Sequence, residues 1–212
     1  TAEHRPGSGT TGYTYNAADV VMSVTDAEGS VTSYEVDARG RRTKTITAAG
    51  TRIFTYDDQG NLTQQVDADG RRTEFDYDEL NYAVGERWYA AGGQLEKTVS
   101  YDRNGLGELL SVNDGTSTVA YHYDVVGRID TVTTTAPGMP TVVLAYTLND
   151  YDQPDRVEQR VDGQVARTTA YTYDAQGHLK SITDSGTGVS PKQVTFAFDA
   201  AGRVTSLTRY GD

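Results

Sequence analysis

The chain has 212 residues, no cysteine and a formal net charge of -11 at pH 7. The missing thiols exclude disulfides and cysteine-ligated metal sites, and the acidic balance argues against nucleic-acid binding, which needs clustered Lys and Arg. No apolar run approaches the length of a membrane-spanning helix, and the N-terminal residues lack the charged and then apolar layout of a signal peptide.

Residues 1–12 precede the first regular pattern of the chain. They contain Pro6 and three glycines, a composition that predicts a flexible leader. The run Gly7-Ser8-Gly9-Thr10-Thr11-Gly12 has the letters of a dinucleotide-binding loop, but no strand pattern precedes it and no helix pattern follows, which argues against nucleotide binding. Residues 13–212 are predicted to form a single repeat array, with no helix in it.

The clearest unit of this array runs from Phe54 to Gly70 and reads FTYDDQGNLTQQVDADG. Asp57 and Gly60 fit the first and fourth positions of a type I turn, where Asp bonds the turn backbone and Gly accepts positive φ. A three-residue hairpin loop of this kind predicts that Tyr56 lies opposite Leu62.

One face of this hairpin is predicted to be apolar and the other polar. Stepping by two along each strand puts Phe54 and Val66 on the face of Tyr56. The opposite face then carries Thr55, Thr63 and Gln65. Since Asp67-Ala68-Asp69-Gly70 turns the chain again, one unit is two strands and two turns, and it is too small to fold without its neighbours.

The unit recurs about nine times at spacings of 20 to 28 residues, which indicates tandem duplication. The anchors are Tyr15, Val36, Tyr56, Tyr77, Tyr101, Tyr123, Tyr151, Tyr173 and Phe198. The residues that define the predicted repeat are Tyr15, Tyr56, Asp57, Gly60, Leu62, Tyr77, Tyr101, Asp102, Gly105, Tyr123, Asp124, Gly127, Tyr151, Tyr173, Asp174, Gly177, Phe198, Asp199 and Gly202.

Two copies depart from the pattern. The Tyr101 copy keeps Gly105 but delays its aliphatic residue to Leu109, which predicts a bulge or a longer turn. The Tyr151 copy has Asp155 in the glycine position, where Asp is tolerated because it visits the left-handed region more readily than most residues. The segments 133–141 and 184–192 are predicted to be longer loops.

The pattern Tyr-Asp-x-x-Gly-Arg/Asn-Leu/Val/Ile resembles the YD repeats of the Rhs family, which includes bacterial polymorphic toxins, toxin-complex shell components and teneurins. The resemblance covers roughly residues 13–210. It implies an all-β fold in which tandem β-hairpins form a long, strongly curved or spiralling antiparallel sheet, a partial Rhs-type shell. It also implies a secreted or cell-surface protein, delivered by a bacterial export system, that encloses a C-terminal toxin or cargo domain.

No catalytic, cofactor-binding or metal site emerges from the sequence. The three histidines have no ligand spacing, and the Asp-rich turns lack the twelve-residue pattern of a calcium loop. With 30 acidic residues, many carboxylate pairs could be chosen for glycoside hydrolysis, so no particular pair is evidence for that activity. The Asp-Pro signatures of self-cleaving Rhs relatives are missing, so autoproteolysis cannot be transferred to any residue. The histidines are His4, His122 and His178.

Three hypotheses follow for the function. The first is a non-catalytic structural part of an Rhs/YD-repeat shell, whose partners are further repeats and an enclosed cargo. The alternative is an extracellular module that binds carbohydrate or a cell-surface protein through its outer rows of polar side chains. The third, a hydrolase, lacks any site. Unpaired edge strands also predict edge-to-edge self-association.

Overall fold

The computed structural model describes residues 10–211, and in that range every regular element is a β-strand. This confirms the all-β prediction of tandem antiparallel hairpins. Residues 1–9 of the predicted leader lie outside the described residues, as do His4 and the first half of the glycine-rich run. The chain divides into two compact units, Thr1–Ser100 and Tyr101–Asp212.

The first unit is a succession of short strands, the last of which runs three residues beyond the boundary. They are β1 (Gly12–Tyr15), β2 (Val21–Thr25), β3 (Val31–Val36), β4 (Arg42–Thr47), β5 (Gly50–Tyr56), β6 (Leu62–Val66), β7 (Arg72–Tyr77), β8 (Ala83–Tyr89) and β9 (Leu95–Arg103).

The second unit continues with longer strands. They are β10 (Leu109–Asn113), β11 (Thr118–Tyr123), β12 (Ile129–Thr135), β13 (Val142–Leu148), β14 (Pro154–Val161), β15 (Gln164–Tyr173), β16 (Leu179–Gly186), β17 (Val189–Phe198) and β18 (Val204–Tyr210).

Within each unit the strands pair antiparallel with the strands before and after them. In the described part of each unit the strand contacts are between consecutive strands, so a unit does not itself supply a second layer over its sheet. Among described side chains only Val99 and Ser181 are buried, at 7% and 8% exposure. Rows of side chains on one face therefore cover one another only partly.

In four hairpins of each unit, a β-bulge lies just after the turn that follows the anchor residue. In the β5–β6 hairpin Tyr56 pairs with Leu62, as expected, but Thr55 pairs with Gln64. Thr63 is therefore an extra residue on β6, and two residues of one strand face one residue of the other. No sequence motif marks the bulge, so the periodicity of the sequence alone does not reveal it.

The bulge moves the rest of β6 to the other side of the sheet. Phe54 pairs with Gln65, and Ile53 pairs with Val66. Because opposed residues of an antiparallel pair share a face, Val66 lies on the face of Ile53 and Gln65 on that of Phe54. The predicted placement of Val66 and Gln65 is therefore wrong.

Of the two predicted loop insertions, 184–192 is mainly strand, whereas 133–141 has a loop from residue 136 onward. Residues 133–135 belong to β12, and the turn that follows is closed by a hydrogen bond from the N–H of Met139 to the carbonyl of Ala136. The segment 184–192 contributes to β16 and β17 around a short turn with Gly188 at φ 72°. Extra residues lengthen the hairpins because paired backbone satisfies its hydrogen bonds, whereas a long loop would not.

Candidate functional site

The hairpins of the array share one five-residue turn, which we call the corner turn. In each, the N–H of the first residue donates to the carbonyl of the fifth, and the N–H of the fourth donates to the carbonyl of the first. The fourth residue has positive φ, as Gly60 does at 103°. We keep the name for the turns that directly follow an anchor, which are residues 16–20, 37–41, 57–61, 78–82, 104–108, 124–128, 149–153, 174–178 and 199–203. The same hydrogen bonds also close the turns of residues 26–30, 67–71 and 90–94 at the opposite edge.

The first residue of a corner turn caps the turn with its side chain. In Asp124, Oδ1 accepts hydrogen bonds from the N–H groups of Val126 and Arg128 at 2.9 and 3.0 Å. These bonds favour the ionised carboxylate, and the backbone N–H of Arg128 contributes most to lowering the pKa of Asp124 below its usual value. The pKa of Asp199 is lowered in the same way by the N–H of Arg203.

The fifth residue of a corner turn links its own turn to the next one. In the first unit the Arg41 guanidinium donates Nε to Asp37 Oδ2 at 2.7 Å and Nη1 to the carbonyl of Asp57 at 2.9 Å. It also lies over the Tyr56 ring, 4.7 Å from the centroid. Asn61 then repeats the link, since its Nδ2 donates to Asp57 Oδ2 at 2.9 Å and to Asn81 Oδ1 at 2.8 Å.

The second unit makes the same links with different side chains. The Arg128 guanidinium pairs with Asp124 in its own turn and with Asp152 in the next. Gln153 accepts from Asn149 Nδ2 at 3.2 Å and donates Nε2 to the carbonyl of Gly177 at 2.9 Å.

His178 closes this series with a stacking contact. Its Nδ1 lies 2.9 Å from Asp174 Oδ2, and its ring stacks on Phe198 with 4.8 Å between centroids. The link is therefore defined by its position in the turn rather than by one residue type.

Anchor tyrosines supply a second link, to the hairpin before them. The Tyr77 hydroxyl donates to the carbonyl of Leu62 at 2.9 Å. On β6 the residues that pair with β7 are 64–66, so Leu62 lies beyond this pairing, beside the bulge. The hydroxyl therefore provides a hydrogen bond where the ladder of strand pairing is interrupted, which explains why Tyr is preferred to Phe at the anchor.

The same hydroxyl bond recurs in both units. Tyr56 donates to the carbonyl of Arg42 at 3.0 Å in the first unit. In the second unit Tyr123 donates to the carbonyl of Leu109 at 2.9 Å and Tyr173 to that of Pro154 at 2.7 Å. Each acceptor lies six positions after the residue that directly precedes the previous corner turn. In the second unit those preceding residues are Arg103 and Leu148.

The structure corrects the predicted anchor at Tyr101. The corner turn begins at Asn104, and Gly107 is the residue with positive φ, at 83°. Arg103 therefore occupies the anchor position and Leu109 the aliphatic position, with no delay. Tyr101, Asp102 and Gly105 match the repeat only by letter, because the turn is set by the Asn side chain and the left-handed residue three positions later.

The predicted anchor at Tyr151 is also corrected. The corner turn begins at Asn149, and Asp152 takes the left-handed position with φ 60°. Leu148 is therefore the anchor and pairs with Pro154. Tyr151 is the third residue of the turn and is 84% exposed, and Asp155 lies on β14 instead of in the glycine position.

The other predicted repeat residues take equivalent places. Tyr15, Tyr123, Tyr173 and Phe198 pair with the aliphatic residue six positions later, and Tyr77 pairs with Ala83. Asp57 and Asp174 cap their turns, and Gly127, Gly177 and Gly202 have φ between 74° and 83°. Sequence reasoning missed the fifth turn residues, although an Arg, Asn, Gln or His directly after the left-handed position was a visible signal.

The described histidines make single carboxylate contacts. His122 Nδ1 lies 2.6 Å from Asp130 Oδ1, and His178 contacts Asp174. Residues 10–211 contain no group of three or more potential metal-ligating side chains. Within the same range, no helix has the length and apolar character of a membrane span.

The sequence was compared with family models, curated proteins and solved structures. The family model described as teneurin YD-shell matches residues 8–187, and the RHS repeat model matches residues 173–212. The chain belongs to the teneurin YD-shell family. The corner turn with its capping acid and left-handed glycine is the structural form of the repeat for which this YD-shell family is named.

Relatives of this YD-shell chain are much longer proteins. The double-stranded DNA deaminase toxin A of Burkholderia cenocepacia (strain H111) is 32% identical over 118 residues, which are 54% of this chain and 8% of that protein. The tRNA nuclease WapA of Bacillus subtilis (strain 168) is 27% identical over 135 residues, 50% of this chain and 6% of that protein.

A solved structure supports the fold of the YD-shell. The crystal structure of TcdB2-TccC3-TEV matches 92% of this chain and 13% of that chain, with a TM-score of 0.65 at 14% sequence identity. At this identity the likeness concerns the fold.

Proposed function

We propose that this chain is a stretch of non-catalytic wall in a YD-repeat shell, which encloses a cargo polypeptide in the parent protein. The observation that carries the proposal is the pair of links between successive hairpins, one through the fifth turn residue and one through the anchor hydroxyl. Fifth-residue links tie five of the corner turns to the next hairpin, so that these junctions resist opening between repeats. A wall requires this property, whereas a single binding site does not.

The polar groups of the corner turns support a structural role. Asp57 Oδ1 accepts from the N–H groups of Gly60 and Asn61, and Oδ2 accepts from Asn61 Nδ2. These bonds occupy the lone pairs that a general base or nucleophile would use. The pKa of Asp57 is lowered, although burial by itself would raise it. A general acid needs a shift in the opposite direction.

The uncovered sheet supports the idea of an enclosed partner. Each unit is a single layer in the described residues, with half-buried aromatic and aliphatic rows on its faces. Such rows gain stability when a further polypeptide covers them. The curated relatives are named as a toxin and a nuclease and extend far beyond the matched repeats, which fits a parent protein that also carries an active cargo. We propose that the parent protein is secreted or displayed on the cell surface.

Protection of the cargo in the parent protein tests this function. The parent is treated with an added protease, and the cleavage rate of its cargo is compared with that of the same cargo expressed alone. We expect strong protection in the parent and faster cleavage after Asp124→Ala with Arg128→Ala, which removes the link to the next turn. The matched control Asp58→Ala changes an exposed acid that has no capping bond in the same kind of turn.

Two results would contradict the proposal. Cleavage of the cargo at the same rate inside the parent and alone would rule out enclosure. An enzymatic activity that persists after the cargo is deleted, and that is lost on mutation of corner-turn carboxylates, would rule out the non-catalytic role.

A further inference from the structure

The third residue of each corner turn is exposed. It makes no side-chain bond that the turn requires, because the first, fourth and fifth residues carry the cap, the left-handed φ and the link. Five turns accordingly have polar or small residues there. They are Ala18, Arg39, Gln59, Gln176 and Ala201.

Three consecutive turns of the second unit have large apolar residues at this position. Leu106 is 81% exposed, Val126 is 69% exposed and Tyr151 is 84% exposed, and the adjoining Val125 is fully exposed. We call these four residues the tip strip. Leu80, which is 66% exposed, has the same position in the last corner turn of the first unit. Folding gives no reason for this choice, since the position tolerates polar residues elsewhere.

The tip strip lies on three neighbouring turns along one edge of the second unit. The Arg128 guanidinium pairs with Asp152, which joins the turn of Val126 to that of Tyr151. A Cβ at Gly127 would lie 3.3 Å from Glu108 Oε1, so the turn of Leu106 also approaches that of Val126 closely. Single exposed apolar residues are ordinary in soluble proteins, whereas several large ones on neighbouring turns indicate an interaction site.

The charges around the tip strip are mainly acidic. The three turns contain four carboxylates and a single guanidinium, that of Arg128, which is already bound to two of the carboxylates. Arg103, which precedes the first turn, donates Nη1 to the carbonyl of Gly107. A complementary partner therefore carries basic residues beside its apolar ones. The carboxylates belong to Glu108, Asp124, Asp150 and Asp152.

The spacing of the tips indicates the backbone conformation of the partner. Successive corner turns on one edge are two strands apart, which is about 9.5 Å. A polyproline II chain has three residues per turn and advances about 3.1 Å per residue, so it covers that distance in three residues and returns a side chain to the same face. We propose that the tip strip binds a basic polypeptide segment in the polyproline II conformation that carries an apolar side chain at every third residue.

Synthetic peptides and the full chain test this docking surface. A fluorescent peptide of about twelve residues has Leu at every third position and Lys and Ser between, and a second peptide of the same composition has Leu at every second position. We expect the first to bind, and to bind about fivefold or more tightly than the second because only its spacing fits all three tips. Exchange of its Lys for Glu should abolish binding.

The matching variants change the strip without touching the caps or links. Leu106→Gln, Val126→Gln and Tyr151→Gln together should weaken binding about tenfold or more, with an unchanged circular dichroism spectrum. The control pair Gln59→Ala and Gln176→Ala alters the same turn position outside the strip and should leave binding unchanged.

Several outcomes would overturn the inference. These are the absence of binding by the basic peptide, equal binding by the Glu peptide, and equal binding by the strip variant. Self-association in sedimentation that the strip variant abolishes would assign the surface to a second copy of the chain. Flotation with neutral lipid vesicles that the variant abolishes would assign it to a membrane.

Discussion

The two units use one corner turn with strands of different length. In the first unit the anchors Tyr15, Val36, Tyr56 and Tyr77 follow at 21, 20 and 21 residues, and β2 to β7 have five to seven residues. In the second unit the anchors Tyr123, Leu148, Tyr173 and Phe198 follow at 25 residues each, and β13 to β18 have seven to ten.

The difference teaches which part of the repeat is fixed. Four extra residues per repeat are two per strand, and an even number leaves each side chain on its original face. The first unit tolerates a spacing of 20 as well as 21 because the turns at the opposite edge vary in length. The corner turn does not vary, since its cap, its left-handed residue and its link depend on one another.

The links also differ in chemistry between the units. In the first unit Arg41 and Asn61 donate hydrogen bonds to the next turn. In the second unit Arg128 and Gln153 do so, and His178 contributes a stacked ring, which the first unit lacks among its described links. Each of these side chains contacts both its own turn and the next hairpin. The position in the turn therefore determines the linking role, and the residue type determines how strong the link is.

Acid should produce the largest effect and should affect both units alike. The pKa values of Asp37 and Asp57 in the first unit and of Asp124, Asp174 and Asp199 in the second are all lowered. A lowered native pKa stabilises the fold above the unfolded pKa of about 3.9, and this contribution is lost as the pH falls through the native value. We expect a constant urea midpoint from about pH 5 to 7 and a steep fall below about pH 4.

The single tryptophan distinguishes the two units in this measurement. Trp88 lies on β8 and reports on the first unit, whereas far-UV circular dichroism reports on both. Parallel acid transitions by the two probes would support a common turn chemistry. A midpoint that stays constant below pH 4 would contradict the role of the capping carboxylates.

Gly50 in the first unit should be highly sensitive to substitution. Gly50 has φ 133°, and a Cβ there would lie 2.8 Å from the Cβ of Ala68. Gly50→Ala should therefore lower the free energy of unfolding by about 2–4 kcal/mol through strain and overpacking. Urea titration followed by Trp88 fluorescence measures this loss.

Gly163 in the second unit is the matched control. It also has positive φ, 81°, but open space surrounds its Cβ position. Gly163→Ala should cost about 1–2 kcal/mol, from backbone strain alone. Equal losses at both positions would show that the close approach of Ala68 has no energetic weight.

The anchor hydroxyl can be removed in one unit and added in the other. Tyr77→Phe deletes the bond to Leu62 and should cost about 1 kcal/mol. Phe198→Tyr places a hydroxyl in the equivalent position relative to the carbonyl of Leu179 and should stabilise by up to about 1 kcal/mol. Thermal or urea unfolding checks both signs, and destabilisation by Phe198→Tyr would restrict the hydroxyl link to the repeats in which it is observed.

The neutral links should give the smallest effects. Asn61→Ala in the first unit and Gln153→Ala in the second each remove one contact within a turn and one to the next turn. We expect about 0.5–1 kcal/mol for each, because the groups are partly exposed. Hydrogen exchange should reveal faster exchange at the following turn in each variant, while exchange unchanged there would argue against transmission between turns.

The sequence was sufficient to predict the architecture because the turn chemistry is local. Asp57 and Gly60 are three residues apart, and their positions predict the turn, the pairing of Tyr56 with Leu62 and hence the hairpin. The fold class follows from repeating that inference along the chain.

The predictions were wrong where the residue pattern of a repeat does not coincide with the position of the turn. Tyr101-Asp102 and Tyr151-Asp152 look like anchors, yet the turns form two and three residues away because Asn104 and Asn149 cap a left-handed residue. The bulge at Thr63 escaped prediction since an extra residue on one strand leaves no compositional mark. The links also escaped it, because they join residues about twenty positions apart.

The reach of the fifth turn residue has a consequence for how such chains evolve. The linking side chain reaches only the adjacent corner turn, as Arg41, Asn61, Arg128 and Gln153 do. When a whole hairpin is gained or lost, the two turns that become neighbours therefore still offer the hydrogen-bond acceptors that the link needs. Recombination between copies would then lengthen or shorten the protein without a compensating mutation. Genomes should accordingly hold orthologues whose repeat numbers differ by entire hairpins.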